Sequence, residues 1–260
     1  MDGKDLRLRR LFKSERLLLV PMDHGVTLGA VGGLGDIRGA VRAVAAGGAD
    51  GVVVHKGIAC QIMPELTASN RCELVVHLSA STSLAPDPNR KELVGSVERA
   101  VRLGAAGVSV HVNLASQSEA RMLRDLGLVA EDCAAWGMPL LAMMYVRDGS
   151  RASEYDPEKL AHAARVAEEL GADIVKVNYT GDPESFARVV EAVRLPVIIA
   201  GGPKSSRTEA LLAAIRGALQ AGARGVAIGR NLFEDADPRA LTASIRRILD
   251  GQEGEPRGGD

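Results

Sequence analysis

The chain has 260 residues, of which 46% are hydrophobic, with 32 basic against 33 acidic side chains and a formal charge of -1. That much apolar material can bury a sizeable core, and the even balance of signs excludes the electrostatic footprint of a nucleic-acid or anionic-membrane binder, leaving small molecules as the expected partners. Aromatic residues make up only 3%, so the core must be built from Val, Ile, Leu, Ala and Met, which suits a fold of many short buried strands.

The N-terminal stretch "LRLRRLFKSERLLLVPMD" predicts a leader helix over residues 1–15. Its basic run, Arg7, Arg9, Arg10 and Lys13, reads as a solvated helix face and receives no role. The apolar run Leu17 to Val20 is too short for a signal-peptide core or a membrane span, which points to a cytoplasmic protein. Cys60, Cys72 and Cys133 lack the spacing of a zinc or redox pair, in keeping with a reducing compartment.

From residue 16 onward short apolar runs alternate with helical periodicity. "RLLLVPMD" from 16 opens the series and is followed by the glycine-rich loop "VTLGAVGGLGD", which overhangs the end of that strand and reads as a lid. Next come "GGADGVVVHK" from 47, "CELVVHLS" from 72, "LGAAGVSVHV" from 103, "MPLLAMMY" from 138, "LGADIVKVNY" from 170, "LPVIIAGG" from 195 and "AGARGVAIGR" from 221. Four of these runs share one layout, in which a glycine suited to a left-handed helix C-cap precedes a β-branched strand. Helices are predicted in "RKELVGSVERAVRLG" from 90, "DPEKLAHAARVAEELG" from 156 and "TEALLAAIRGALQAG" from 208, while "GIACQIMPELTASN" carries the weakest helical pattern. Eight strand-helix units over residues 16–249, with no linker, predict a single-domain (β/α)8 TIM barrel in preference to an open doubly wound sheet. The tail over 250–260 has no apolar residue and is expected to be disordered.

The repeat also fixes parity. Aligning the related strands sets Lys176 level with Val53, Ser109 and Ala227, and Asn178 level with His55, His111 and Gly229, all on one face. A face that ends in Lys, His, Ser and Asn is the barrel interior at its C-terminal mouth, where such barrels keep their chemistry. There Lys176 is either a structural cation paired across the barrel with Asp23, or an amine whose burial favours the neutral form that attacks a ketone. Lys56 and Lys204 lie just past strand ends, in loops, and are less desolvated; they stand as candidate substrate-binding cations.

Schiff-base chemistry needs an acid/base group beside the amine. Tyr145, ending the neighbouring strand, is the candidate, with Asp23 and His24 of "PMDHG" supplying a carboxylate and an imidazole across the mouth. The loops after the last two strands, "GGPKSS" and "GRN", contribute Gly201, Gly202, Gly229 and Arg230, a set suited to a phosphate. A different chemistry is also open, because His24, His55, His77 and His111 all end strands and convergent imidazoles bind zinc; no HxH or HxxxH pair supports it.

The ordered motifs "PMDHG", "HKG", "HLSASTSLAPDPN", "GVSVHVN", "LLAMMY", "DIVK", "AGGPK" and "GVAIGRN" resemble the archaeal-type class I aldolases from about residue 6 to residue 249. "SASTSLAPDPN" and "GMPLLAMMY" are most similar to the 2-amino-3,7-dideoxy-D-threo-hept-6-ulosonate synthases and their actinobacterial aminoheptulosonate-phosphate relatives. The resemblance implies Lys176 as the Schiff-base lysine, Tyr145 and Asp23 as its catalytic partners, and phosphate binding at Gly201, Gly202, Gly229 and Arg230. It further implies no metal or other cofactor, a homo-oligomer that can be a decamer, and an aldolase or transaldolase reaction that condenses a phosphorylated ketose donor with L-aspartate 4-semialdehyde to give a seven-carbon 2-amino keto acid. The donor would be dihydroxyacetone phosphate or 6-deoxy-5-ketofructose 1-phosphate. A class I fructose-bisphosphate aldolase is the alternative, and a metal-dependent barrel aldolase or hydrolase the second. The loop after the first strand departs from the more proline-bearing segment expected there, which bears on the identity of the donor.

Overall fold

The computed structural model describes residues 3–69, 71–204 and 207–252. Eight parallel strands pair in chain order and close into a barrel: β1 (Leu17–Pro21), β2 (Gly51–His55), β3 (Glu73–His77), β4 (Gly107–Leu114), β5 (Leu140–Val146), β6 (Ile174–Val177), β7 (Val197–Ala200) and β8 (Gly225–Ala227). All eight begin within the apolar runs expected to form strands, β4 running on to Leu114 and β5 to Val146, in one TIM-barrel domain. The glycines that precede β2, β4, β6 and β8 hold the expected left-handed turn: φ is +96° at Gly48, +73° at Gly104, +91° at Gly171 and +96° at Gly222. A side chain with a Cβ would be strained at each.

Alternation along the strands divides the core in two. Leu17, Leu19, Val53, Val75, Leu141, Met143, Ile174, Ile198 and Ala227 point inward and fill the barrel. Their neighbours, among them Leu18, Val20, Val52, Val54, Val175 and Val177, point outward against the helices. Register then sets heights inside the barrel: Pro21 lies beside Val53, His55 beside His77, Asn113 beside Tyr145, and Met143 beside Lys176.

The surrounding helices are α1 (Gly3–Leu11), α2 (His24–Leu28), α3 (Ile37–Ala46), α4 (Lys56–Ser69), α5 (Val97–Arg102), α6 (Glu119–Trp136), α7 (Pro157–Glu169), α8 (Pro183–Glu191), α9 (Thr208–Gln220), α10 (Arg230–Phe233) and α11 (Pro238–Leu249). Asp156, Asp182 and Asp237 each cap a helix by accepting from a backbone N–H three residues on, and a proline follows each in the first turn. This pairing satisfies an orphan donor and sets φ for the helix start.

Two helical expectations are corrected. The segment from residue 90 is helical only from Val97; before it, Glu92–Leu93 forms a short antiparallel ladder with Ser79–Ala80. Leu93, Val97 and Val101 recur every four residues and so imitate one continuous helix, but Gly95 packs its bare Cα against Leu78 and Ser96 caps the helix by accepting from Arg99 N–H. In contrast, the weakly patterned stretch after β2 forms a 14-residue helix with Pro64 inside it, packed through buried Ala59, Ile62 and Leu66. The glycine-rich loop after β1 contains α2 and then packs against α10, where a Cβ on Gly33 would overlap the Phe233 carbonyl at 1.8 Å. At least one of its glycines therefore serves close packing.

The N-terminal helix closes the barrel floor. Leu8, Leu11 and Phe12 pack on the inner core, and Leu11 is 2% exposed. Three of its cations hold the start of neighbouring strands: Lys4 pairs with Asp173 at 3.1 Å before β6, Arg10 with Glu73 at 2.6 Å at the start of β3, and Arg7 donates to the Gly137 carbonyl at 2.7 Å before β5. Arg7 and Arg10, set aside in the sequence as part of a solvated face, thus fasten this helix across the floor. The C-terminal end of the barrel is left as its open side. At the other terminus Asp250 closes α11 and pairs with Arg246 at 2.8 Å; the tail over 253–260, expected to be disordered, lies outside the described residues, as do Met1 and Asp2 of the leader. The floor yields a test: Leu11→Ala should cost about 2–4 kcal/mol in urea unfolding, the usual range for a buried leucine. Arg10→Ala, whose ion pair is half exposed, should cost under about 1 kcal/mol.

Candidate active site

Lys176 points into the mouth from β6 and is 6% exposed. Its Nζ donates to Met143 Sδ at 3.6 Å, a weak acceptor, and lies 5.7 Å from the centre of the Tyr145 ring. Among the described residues no carboxylate is within ion-pairing distance of this amine; Asp23 is close enough to feel its charge, but its near contacts are His77 Nε2 at 3.6 Å and His24 Nδ1 at 3.8 Å. The reading of Lys176 as one half of a structural ion pair with Asp23 therefore lacks its bond. Tyr145 stands two residues beyond Met143, the register partner of Lys176 on the adjacent strand, with its ring 4.7 Å from that of His111 and covered by Arg147 at 5.2 Å.

The polar wall is held by few, specific contacts. His77 Nδ1 and Ser109 Oγ are 2.8 Å apart, and His111 Nε2 and Asn113 Oδ1 are 2.9 Å apart. Because Asn113 Nδ2 donates to the Asn89 carbonyl at 2.7 Å, its Oδ1 faces His111 as an acceptor, which places the imidazole proton on Nε2. Burial alone would raise the Asp23 carboxyl, yet the surrounding charges of His77, His24, Lys176 and His55 outweigh it and hold Asp23 at about 2. Burial pulls His77 down to about 4 against the attraction of Asp23. His24, His55 and His111 are lowered for the same reason, burial first. At neutral pH the wall is thus a carboxylate among uncharged imidazoles.

These imidazoles do not converge as zinc ligands. Among the described residues no group of three or more His, Cys, Asp or Glu is placed to hold a metal ion, and His77 and His111 each commit a ring nitrogen to a side-chain neighbour.

Across the mouth, the loops after β7 and β8 meet. Gly202 has φ +66° and open space on its Cβ side, whereas a Cβ on Gly229 would sit 2.4 Å from the Pro21 carbonyl and 2.7 Å from His24 Cε1. Asn231 clamps the two loops together by donating to the Gly201 carbonyl at 2.9 Å and the Pro203 carbonyl at 3.2 Å. Arg230 lines the same cavity, and its Nε is buried with no hydrogen-bond acceptor among the described residues. A buried donor without a partner is costly and suits an anion that arrives with the ligand.

One cavity of about 390 Å³ joins Asp23, His24, Tyr145, Lys176, Gly201, Gly202, Gly229 and Arg230. Lys56 and Lys204 are not brought to it. Lys56 Nζ donates to the Val94 carbonyl and Lys204 Nζ to the Glu234 carbonyl, so each ties a loop to its neighbour. Several lining residues went unnoticed as candidates in the sequence: Lys91, which had been read as helical; Arg147, ion-paired with Glu154; and Asn89. Only the parity of β5 beyond Tyr145 carried a local signal, for Arg147.

The profile of the DeoC/LacD family of aldolases matches residues 17–235. The 2-amino-3,7-dideoxy-D-threo-hept-6-ulosonate synthase of Halobacterium salinarum is 47% identical over 247 residues, covering 95% of this chain and 91% of that one. The 2-amino-4,5-dihydroxy-6-oxo-7-(phosphonooxy)heptanoate synthase of Streptomyces griseus is 43% identical over 249 residues, covering 95% and 90%. Among solved structures, a Schiff-base-forming fructose-1,6-bisphosphate aldolase superposes with a TM-score of 0.87 at 31% identity, covering 95% of this chain and 100% of that one.

The buried imidazoles set a pH dependence. His77 binds its proton near the ordinary 6.5 when unfolded and at about 4 when folded, so between those values the unfolded chain takes up the extra proton. The stability this group contributes is complete above about 6.5 and is lost as pH falls toward about 4; the other lowered histidines act in the same sense. Asp23, depressed from 3.8 to about 2, acts only in more acidic solution. The melting temperature should therefore fall between pH 6.5 and 4, and His77→Asn should make that fall shallower.

Proposed function

The chain belongs to the DeoC/LacD family of aldolases and is a class I aldolase, and from that premise we propose that Lys176 forms the Schiff base with a phosphorylated ketose, which is then joined to L-aspartate 4-semialdehyde. The product is a seven-carbon 2-amino keto acid. The observation that carries this reading is a lysine buried in the barrel with no carboxylate bound to it among the described residues, beside a tyrosine, in one cavity with a glycine and arginine cradle. The 47% and 43% identities to two synthases of seven-carbon amino acids, against 31% to the fructose-bisphosphate aldolase, support the choice of acceptor.

The chemistry follows from the positions. With the phosphate held by the Gly201–Gly202 and Gly229–Arg230 loops, the donor ketone sits over Lys176. The unprotonated amine attacks the carbonyl carbon, and the oxygen takes a proton to give the carbinolamine. Loss of water leaves a protonated imine, whose positive nitrogen draws the electrons of a bond at the neighbouring carbon into an enamine. With dihydroxyacetone phosphate a C–H bond breaks and a proton leaves, whereas with the six-carbon donor a hydroxyl gives up its proton, a C–C bond breaks and a three-carbon phosphorylated aldehyde leaves. Either route passes three carbons to the acceptor. The enamine attacks the aldehyde carbon of the acceptor, the new alkoxide is protonated, and water then hydrolyses the imine and restores the lysine. Each proton transfer needs a group within about 3 Å of the reacting oxygen or carbon. Tyr145, beside Lys176, serves the oxygen of the carbinolamine, and ionised Asp23 across the mouth accepts and returns protons as well as facing the cationic imine. Nothing in this cycle calls for a metal; His24 sits against the phosphate loops as a binding residue.

A homo-oligomer is part of the same proposal, and sedimentation velocity reads it directly. So is a reducing cytoplasmic setting, which the three free thiols suit. Among the described residues no helix is long and apolar enough to cross a membrane.

Purified enzyme given aspartate semialdehyde with dihydroxyacetone phosphate or 6-deoxy-5-ketofructose 1-phosphate should form the seven-carbon product, read by mass spectrometry. Borohydride added with the donor should fix the donor's mass on the peptide containing Lys176. Faster turnover of fructose 1,6-bisphosphate than of either semialdehyde reaction would move the function to sugar-phosphate cleavage, and label at another lysine would reject the nucleophile.

Tyr145→Phe removes one hydroxyl and keeps the ring against His111 and Arg147. Turnover should fall by about 10² to 10⁴, the usual worth of a positioned acid/base group, with melting temperature unchanged.

A further inference from the structure

Lys91 is a second buried lysine in the same cavity, 9% exposed, which the Schiff-base cycle does not use. It lies on the segment between β3 and α5, which folds over the mouth. Asn113 Nδ2 holds that segment by donating to the Asn89 carbonyl at 2.7 Å, the Ser81 hydroxyl donates to the Pro88 carbonyl at 2.7 Å, and Ser83 N–H donates to the Thr27 carbonyl at 2.8 Å. Lys91 Nζ itself donates to Ser81 Oγ at 2.5 Å, and among the described residues no carboxylate is within ion-pairing distance of it. Its charge is felt by His55, His77 and His111, so the ammonium faces the polar wall of the mouth.

The topology sets this cation apart from the phosphate cradle. In a closed ring of eight strands, β3 and β4 lie diametrically across from β7 and β8. The Gly201–Gly202 and Gly229–Arg230 loops therefore occupy one rim and Lys91 the opposite rim, with Lys176 and Tyr145 on the strands between. Arg147 lines the cavity on the Lys91 side, but its ion pair with Glu154 neutralises it. What remains on that rim is one amino group that donates to the Ser81 hydroxyl and, among the described residues, has no carboxylate bonded to it, Asp23 and Asp87 acting on it only from a distance. One buried positive charge matches one negative charge, whereas the opposite rim offers glycine amides and a guanidinium, the usual provision for a phosphate dianion.

We propose that Lys91 binds the carboxylate of the aldehyde acceptor and so selects an amino-acid aldehyde over a sugar phosphate. The inference rests on the acceptor proposed above and names the residue that reads it. Substrate then spans the barrel, its phosphate end on the β7–β8 rim, its carboxylate end on the β3–β4 rim, and the carbon that forms the new bond over Lys176.

The test compares the wild-type enzyme with Lys91→Met, which keeps the apolar stem and removes the charge. Steady-state rates are measured with dihydroxyacetone phosphate and three acceptors: aspartate semialdehyde, glyceraldehyde 3-phosphate and uncharged glyceraldehyde. The ratio of kcat/KM for the semialdehyde to that for glyceraldehyde should fall at least about tenfold, mainly through the acceptor's KM, as for loss of a charged hydrogen bond. Borohydride trapping of the donor on Lys176 and the melting temperature should match the wild type, and Lys91→Arg should recover part of the ratio. An unchanged ratio in Lys91→Met, with wild-type enzyme making the seven-carbon product, overturns the role of Lys91 and leaves the proposed function standing. A drop confined to glyceraldehyde 3-phosphate overturns the carboxylate and makes this rim a second phosphate site. Wild-type enzyme that makes no seven-carbon product overturns the proposed function together with the carboxylate.

Discussion

Placing an amine inside a closed barrel removes most of its water, and that desolvation governs the rest of the site. A buried ammonium normally requires a carboxylate at bonding distance or a way to lose its proton. Lys176 has instead a thioether, the Tyr145 ring with its centre 5.7 Å away, and beyond bonding distance a carboxylate whose near contacts are two histidines. Among the described residues no counter-ion is bonded to this amine, an arrangement that suits the nucleophile proposed above. The apolar layers of Leu19, Val53, Met143, Ile198 and Ala227 around it keep water out from below.

That dryness depends on the floor. A barrel whose inward residues are mostly medium-sized leaves its lower end to be closed by something else. Leu8, Leu11 and Phe12 of α1 supply the apolar closure, and Lys4, Arg7 and Arg10 fix it to carboxylates and a carbonyl at the starts of β3, β5 and β6. The individual surface pairs are worth little each. Together they orient the helix, while the buried leucine supplies the larger share of the energy.

Under the proposed function the two rims of the mouth divide the work of recognition. Where β7 and β8 end, glycines leave backbone open to the cavity, and Gly229 is confined to glycine by the Pro21 carbonyl and the His24 ring. Opposite, the recognition groups are side chains on a long covering segment tied down through Asn113, Ser81 and Ser83. Under the proposed function, a change in that segment would alter the acceptor and leave the amine, the tyrosine and the glycine and arginine loops in place. The similarity of the chain both to synthases of seven-carbon amino acids and to a fructose-bisphosphate aldolase is consistent with this division.

Local pattern was enough for much of this. Alternation within a few residues settled which side chains of β4 and β6 face inward, and so put Lys176, Ser109 and His111 on one face before any contact was known. The glycine ahead of each even strand marked the chain reversals, because a left-handed turn excludes most other residues. Helical spacing, in contrast, misread the segment from residue 90, since a Leu and Val repeat is equally satisfied by a short ladder followed by a capped helix. What only the tertiary structure decided were the meetings between distant segments: Lys91 and Asn113 brought together through Asn89, Asn231 spanning two loops, Asp23 facing His77 rather than bonding Lys176, and Arg7 reaching the carbonyl of Gly137. The physical reason is that burial and periodicity are properties of a short stretch of chain, whereas a hydrogen bond or an uncompensated charge depends on which groups from elsewhere in the chain fill the same few ångströms.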